Sequence, residues 1–215
     1  MNDVPMVVGP WTEPFVAPLA PGTKIIGARC HPGLASTFLG VPASELLNCS
    51  VPLSDLWGNG KSDRYARIAD EPSLSARMSA MQTALLERLA NSSPVDKATS
   101  AAVHWISRHP QARVEQLSQW LGLSPRQIQR RFVAAVGYGP KLFQSVLRFQ
   151  RLLHLAASAS VQENLAHLSA EAGYADQSHM AREVQRFSGR PPSVSLRSAS
   201  SALRLSGLVE STSVP

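Results

Sequence analysis

The sequence predicts a mainly α protein. An all-helical C-terminal region, with two helix-turn-helix units joined by a long linker helix, follows a small α+β N-terminal module. Three observations carry that expectation. Apolar residues recur at helical spacing between residues 97 and 197. A helix–glycine–helix pattern at 114–136 returns about fifty residues further on, and such internal repetition is hard to get by chance. Charge also divides along the chain: residues 1–97 hold 8 Lys+Arg and 9 Asp+Glu, whereas residues 98–198 hold 12 and 5.

In chain order, residues 1–22 carry Pro5, Pro10, Pro14, Pro18 and Pro21 with no clear period. An extended, poorly ordered lead is expected there, docked on the next element or left over from a longer domain. Lys24–Cys30 is short and β-prone, and His31-Pro32-Gly33 turns the chain. Leu34–Leu39 reads as one or two helical turns ending at Gly40, and Pro42–Leu47 as another. Val51–Trp57 is a third segment, closed by Gly58-Asn59-Gly60. Residues 73–90 form an amphipathic helix with Leu74, Met78, Met81, Leu85 and Leu89 on one side, a core or dimer face rather than a cofactor site. Asn91-Ser92-Ser93-Pro94 is a linker. Asp96 caps the next helix, in which Ala101, Val103, Trp105 and Ile106 are apolar and which His109-Pro110 ends.

The first repeated unit follows. Val114, Leu117 and Leu121 lie on one helix face, and small Ser118 on the same side lets a neighbour approach. Gly122 ends this helix, because glycine tolerates the left-handed conformation of a sharp exit. Ser124 is the N-cap of the next helix, Pro125 its first residue and Gln127 the capping-box partner. Ile128 and Phe132 point inward, leaving Arg126, Gln129 and Arg130 outside. Pro140 then opens a longer helix striped by Leu142, Val146, Phe149 and Leu153 and widened by Phe143, Leu147 and Leu152. The second unit repeats the first: Leu165, Leu168 and Ala172 form the apolar face, Ser169 stands four residues before Gly173, and Asp176 is the N-cap. Met180 and Val184 take the places of Ile128 and Phe132.

Helix, glycine turn and helix with Arg and Gln outward is the arrangement whose second helix enters the DNA major groove. Arg offers a fork to guanine O6 and N7, and Gln can pair with adenine N6 and N7. The plain alternative is a solvated polar face on a helical hairpin. A linking helix from Pro140 to about Ala157 spans ~27 Å. A DNA turn is about 34–36 Å, so two recognition helices reach successive major grooves if the DNA bends or the units tilt.

The runs SPRQIQRRF, GP, K and LRFQRLL, and then GYADQSHMAREVQRFSGRPPS, closely resemble the signature segments of the AraC/XylS family of transcription regulators. The resemblance covers about residues 97–197. It implies a seven-helix DNA-binding domain with two helix-turn-helix units. By position it implies base-facing roles for Arg126, Gln129 and Arg130, and for Gln177, Ser178, Ala181 and Arg182. His179 is a further DNA-contact candidate on the same helix. Arg131, Lys141 and Arg148 read as phosphate or intramolecular partners. Val184 departs from the family's usual Phe, which suggests a looser core, and Ser118 and Ser169 replace the more usual Ala. The run PGLASTFLGVPASELLNCSVPLSDLWG resembles an uncharacterised module found ahead of such domains, which suggests a sensory or dimerising role.

The expected organisation is therefore a regulatory or dimerisation-like module at 1–90, a linker at 91–96, a DNA-binding domain at 97–197 and a disordered Ser-rich tail at 198–215. Double-stranded DNA is the expected partner. RNA polymerase, a small-molecule effector and a second copy of the chain remain open as further ones. The net charge of +6 and pI of about 9.9 fit an anionic partner. Eleven of the 12 basic residues in 98–198 are Arg, which favours groove and phosphate recognition.

Two cysteines, no signal peptide and no apolar run near the ~20 residues of a membrane span point to a cytoplasmic protein. No metal, cofactor or catalytic residue is expected. Cys30 and Cys49 form no CxxC, His104, His109, His154, His167 and His179 lack metal spacing, and phosphate-loop, GxSxG and HExxH motifs are absent. Two other readings stay open. Cys30-His31 could serve a DNA-linked regulator with alkyl-transfer activity, or the helices could form a protein-interaction module.

Overall fold

The computed structural model describes residues 4–17, 20–158 and 165–198. The Ser-rich tail expected to be disordered lies, from residue 199 on, outside the described residues. The chain forms two compact units, Met1–Arg108 with Ala112–Pro140, and His109–Gln111 with Lys141–Pro215.

The first unit opens on β1 (Met6–Val8), antiparallel to β2 (Ser50–Pro52) with Val7 opposite Val51. This differs from the expectation of a strand at Lys24–Cys30, which is irregular, with Ile25 exposed. A β-prone run without a partner leaves its backbone groups to water, so propensity alone does not make a strand. The proline-rich lead docks beside β2 as far as it is described. Gly9 N–H donates to Cys49 O at 3.0 Å and Asn48 N–H to Pro10 O at 2.8 Å. Trp11 stacks on Phe15 at 4.2 Å.

Between the strands lie α1 (Ala35–Leu39), ended by Gly40 as expected, and a 3-10 turn at Ala43–Leu46. After β2 come α2 (Leu53–Trp57) and α3 (Asn59–Ala66). Gly58 ends α2, but Asn59 and Gly60 start α3 instead of closing the segment. Phe38, Leu39 and Leu46 form the module's core, with Val7, Val51, Leu56, Trp57 and Leu85 packed on it. The long amphipathic helix is α4 (Leu74–Ala90), capped by Ser73, whose hydroxyl accepts from Ala76 N–H at 3.1 Å. Of its apolar stripe, Leu85 packs on that core but most of the rest does not. Ala84 is its buried residue, whereas Leu74, Met78 and Leu89 are exposed. Arg88 ties α4 to α1, donating from Nε to Phe38 O at 2.9 Å while its guanidinium lies 4.6 Å from the Trp57 ring. A cation at the carbonyl end of a helix meets unsatisfied acceptors and the negative end of the dipole.

Next are α5 (Lys97–Arg108), α6 (Val114–Leu121) and α7 (Pro125–Val136). Ala102 and Ile106 of α5 turn inward, one helical turn apart, and Val103 and Trp105 are half-buried. With Leu117, Ile128 and Phe132 they are among the most buried apolar side chains of the unit. The helix α1 and the 3-10 turn pack on α7. At the end of α7, Gly137 has φ +96°, and a Cβ there would stand 2.3 Å from Pro10 Cγ. The position thus demands glycine both for its backbone and for the approach of the lead.

The linking helix α8 (Pro140–Ser158) is one residue longer than the expected end near Ala157. Beyond Pro140 at its start, its most buried apolar side chains are Phe143, Leu152 and Ala156, while Leu142, Val146, Phe149 and Leu153 are only half-buried. The buried stripe is thus rotated from the expected one. In the second unit α8 is joined by α9 (Leu165–Ala172), α10 (Gln177–Ser188) and a last helix, α11, at residues 192–198. Their core holds Leu152, Ala156, Leu168, Ala172, Tyr174, Met180, Val184 and Leu196. Among the described residues, helices α5 to α11 make the seven that the resemblance implies.

Candidate nucleic-acid interface

In the first unit α6 ends at Gly122, whose φ of 65° is left-handed. Two residues on, Ser124 caps α7. Its hydroxyl accepts from Gln127 N–H at 3.3 Å, and Gln127 Oε1 accepts from Ser124 N–H at 2.9 Å. Pro125 stands at the first helical position. The capping box and proline define where α7 starts, and burial of Ile128 and Phe132 defines its rotation. Arg126, Gln129 and Arg130 are exposed, as the spacing predicts. The Gln129 amide folds over Gly139, where an added Cβ would stand 2.6 Å from its Nε2.

Arg131 shares the helix but not the freedom. Its Nη1 lies 3.1 and 3.2 Å from the two carboxylate oxygens of Asp96. Asp96 also caps α5, accepting from Ala98 N–H at 3.0 Å and from the Thr99 hydroxyl at 3.0 Å. Burial pushes the Asp96 carboxyl up, but the Thr99 and Ala98 hydrogen bonds and the Arg131 charge outweigh it and hold the group below the usual carboxylate range. Of the phosphate and intramolecular roles open to Arg131, its geometry is the intramolecular one. Lys141, in the first turn of α8, is exposed.

The second unit repeats the design with different chemistry. Asp176 caps α10, accepting from His179 N–H at 2.7 Å. Met180 and Val184 are fully buried beneath it. Val184, at the position where the family usually has Phe, is thus out of reach of solvent. Gln177, Ser178 and Arg182 are exposed, and Arg182 Nε donates to Ser178 O at 3.3 Å. Ala181 is half-buried. His179 is also half-buried, edge-on to Tyr174 at 5.4 Å and with Nε2 3.6 Å from Glu183. Arg148, the other residue with two open roles, is engaged inside the protein. It donates to Glu183 at 2.9 Å and to the Ser145 hydroxyl at 2.9 Å.

Both units thus present a capped helix with an apolar side buried and Arg with Gln or Ser outside. Residues 117–198 match the family model of a helix-turn-helix domain, and residues 1–52 match a domain of unknown function (DUF6597). The first match begins within α6 and runs through α11, so it takes in most of the first glycine-jointed pair and all of the second. The chain carries an AraC-type helix-turn-helix domain at residues 117–198. That domain supports a DNA-binding transcription regulator. No curated protein and no solved structure matches the chain.

By spacing alone Ser118 and Ser169 are only small residues on an apolar face, yet in the AraC-type domain both hydroxyls reach across their turns. Ser118 donates to Leu123 O and Ser169 to Asp176 O. Each helix pair is therefore stapled by a side chain at the same distance before its glycine. The repeated Ser-x-x-x-Gly spacing was the available signal.

Outside this surface, Cys30 and Cys49 are exposed. The Cys30 thiol is nonetheless pushed up by desolvation, because its neighbours crowd it even where solvent reaches it. That direction is opposite to the one that favours a nucleophilic thiolate. Among the described residues no group of three or more His, Cys, Asp or Glu could hold a metal, and no helix is long and apolar enough to cross a membrane.

Proposed function

We propose that the AraC-type regulator reads a specific DNA sequence with α7 and α10, each inserted into one of two adjacent major grooves. The observation that carries this is the duplicated polarity. Ile128 and Phe132 anchor one helix and Met180 and Val184 the other, while Arg126, Gln129 and Arg130, and Gln177, Ser178 and Arg182, stay at the surface. Arg130 and Arg182 are the principal base-reading forks. Arg126 reads or flanks the same groove, and Gln129 must swing off Gly139 to reach a base edge. Ala181 and His179 line the second groove, Ala181 as an apolar contact. Lys141 neutralises a phosphate. Arg131 is assigned to holding α7.

Function divides the chain at the 91–96 linker. The module at 1–90 receives a signal or a second copy, residues 97–197 bind DNA, and the protein works in the cytoplasm. RNA polymerase and a small effector are compatible further partners.

The test is selection of bound duplexes from a random DNA pool, followed by affinity measurements on the winner. Arg130→Ala and Arg182→Ala should each lose about 1–3 kcal/mol of specific binding and relax the preference at one position. Wild-type affinity of Arg130→Ala for its best site would refute the assignment. Alkyl transfer to Cys30 in a labelled-DNA assay would instead favour the reactive-cysteine reading.

A further inference from the structure

The core beneath α10 takes Met180 and Val184 from that helix and sets them among Leu152, Leu168, Tyr174 and Leu196, with Phe149 packed on it; the Phe149 and Phe187 rings lie 5.3 Å apart. Such contacts decide which side of the helix faces inward, but they are weakly directional. Methionine adapts its shape, and valine is short. One polar cluster supplies direction. Arg148 of α8 makes its 2.9 Å bond to Glu183 of α10 with both side chains largely buried, at 16% and 13% exposure. Its guanidinium lies over the Tyr174 ring at 5.8 Å, in the turn just before α10. Its Cδ is 3.8 Å from where a Cβ on Gly173 would stand. The Ser145 hydroxyl accepts a further hydrogen bond from it. A single guanidinium therefore touches the turn and the following helix at once.

Buried ion pairs seldom add net stability, because desolvation offsets the attraction. A pair kept in that position is better explained by geometry than by energy. We propose that Arg148 and Glu183 are positioning residues for DNA recognition, fixing the rotation and depth of α10 so that Gln177, Ser178 and Arg182 meet the base edges in one register. This rests on the reading that α10 enters a groove. The contrast with the first unit supports it. The Arg131–Asp96 pair is much more exposed, at 44% and 38%, and α7 has the larger Ile128 and Phe132 anchors instead.

The experiment uses the full chain and compares Arg148→Met/Glu183→Met with wild type. Removing one partner alone leaves a buried charge and destabilises whatever its role, so the double apolar variant is the informative one. Three quantities are measured: Tm, hydrogen exchange of the α10 amides, and affinity for the best duplex from a random pool against a scrambled duplex. We expect Tm to stay near that of wild type, exchange of residues 177–188 to accelerate, and the ratio of specific to scrambled affinity to fall about tenfold or more. Arg148→Lys should recover part of the ratio, since an ammonium keeps the charge but not the flat contact with Tyr174. Wild-type exchange and wild-type discrimination in the double variant would overturn the proposal. If the wild-type chain preferred no duplex, the groove reading would fall, while the exchange measurement would still decide whether the pair orders α10.

Discussion

Asp96 performs two tasks that substitutions can separate. It caps α5 through Ala98 N–H and the Thr99 hydroxyl, and it holds Arg131 on α7. Losing an N-cap costs about 1 kcal/mol. The Arg131 pair is 44% and 38% exposed, so solvent screening limits it to about 0–1 kcal/mol. Asp96→Ala should therefore destabilise the first unit by about 1–2 kcal/mol. Asp96→Asn keeps the oxygen that accepts from Ala98 N–H but puts an NH2 where the other oxygen accepts from Thr99 and faces Arg131, so it should cost less than Asp96→Ala, about 0.5–1 kcal/mol. All four Trp residues, at positions 11, 57, 105 and 120, lie in the first unit. Tryptophan fluorescence during urea unfolding thus reports that unit alone.

The pH dependence has a definite sign. The folded carboxyl is held below its ordinary value of 3.8, so the unfolded chain takes up a proton first as pH falls. The Asp96 contribution is fully present above that value and is lost as pH drops below it through the folded value. In Asp96→Asn this part of the acid slope should vanish. Equal destabilisation by Asn and Ala would refute the capping argument. A salt slope of DNA binding reduced by about one in Arg131→Ala would refute the intramolecular role of Arg131.

Met180 is fully buried beneath α10, so Met180→Ala should cost about 2–5 kcal/mol in denaturant unfolding followed by circular dichroism. Ser118→Ala removes the hydroxyl bond to Leu123 O at almost unchanged volume. It should cost about 1 kcal/mol in the fluorescence assay, and no loss would show the staple to be passive. Lys141→Ala should weaken all DNA sequences alike and lower the salt slope by about one, read from affinity against salt concentration. A loss confined to one sequence would assign Lys141 to base reading instead.

Local chemistry made much of this protein legible in advance. The cap at Ser124, the stop at Gly122, the start at Pro125 and the cap at Asp176 are encoded within four residues of where they act. They needed no knowledge of the fold, and neither did the outward Arg and Gln residues, whose faces follow from the positions of Ile128, Phe132, Met180 and Val184. The N-terminal module was less readable because its strands pair across more than forty residues. Met6–Val8 finds Ser50–Pro52, while the more β-prone Lys24–Cys30 finds nothing.

Tertiary structure alone decided how the charges are used. Arg130 and Arg131 are adjacent and chemically identical, yet one is exposed and the other reaches Asp96, 35 residues away in sequence. Arg148 and Glu183 are also 35 residues apart. Helical periodicity assigns a side chain to a face of its own helix, but a partner on another helix is set by how the helices pack, and spacing along one helix carries no record of that.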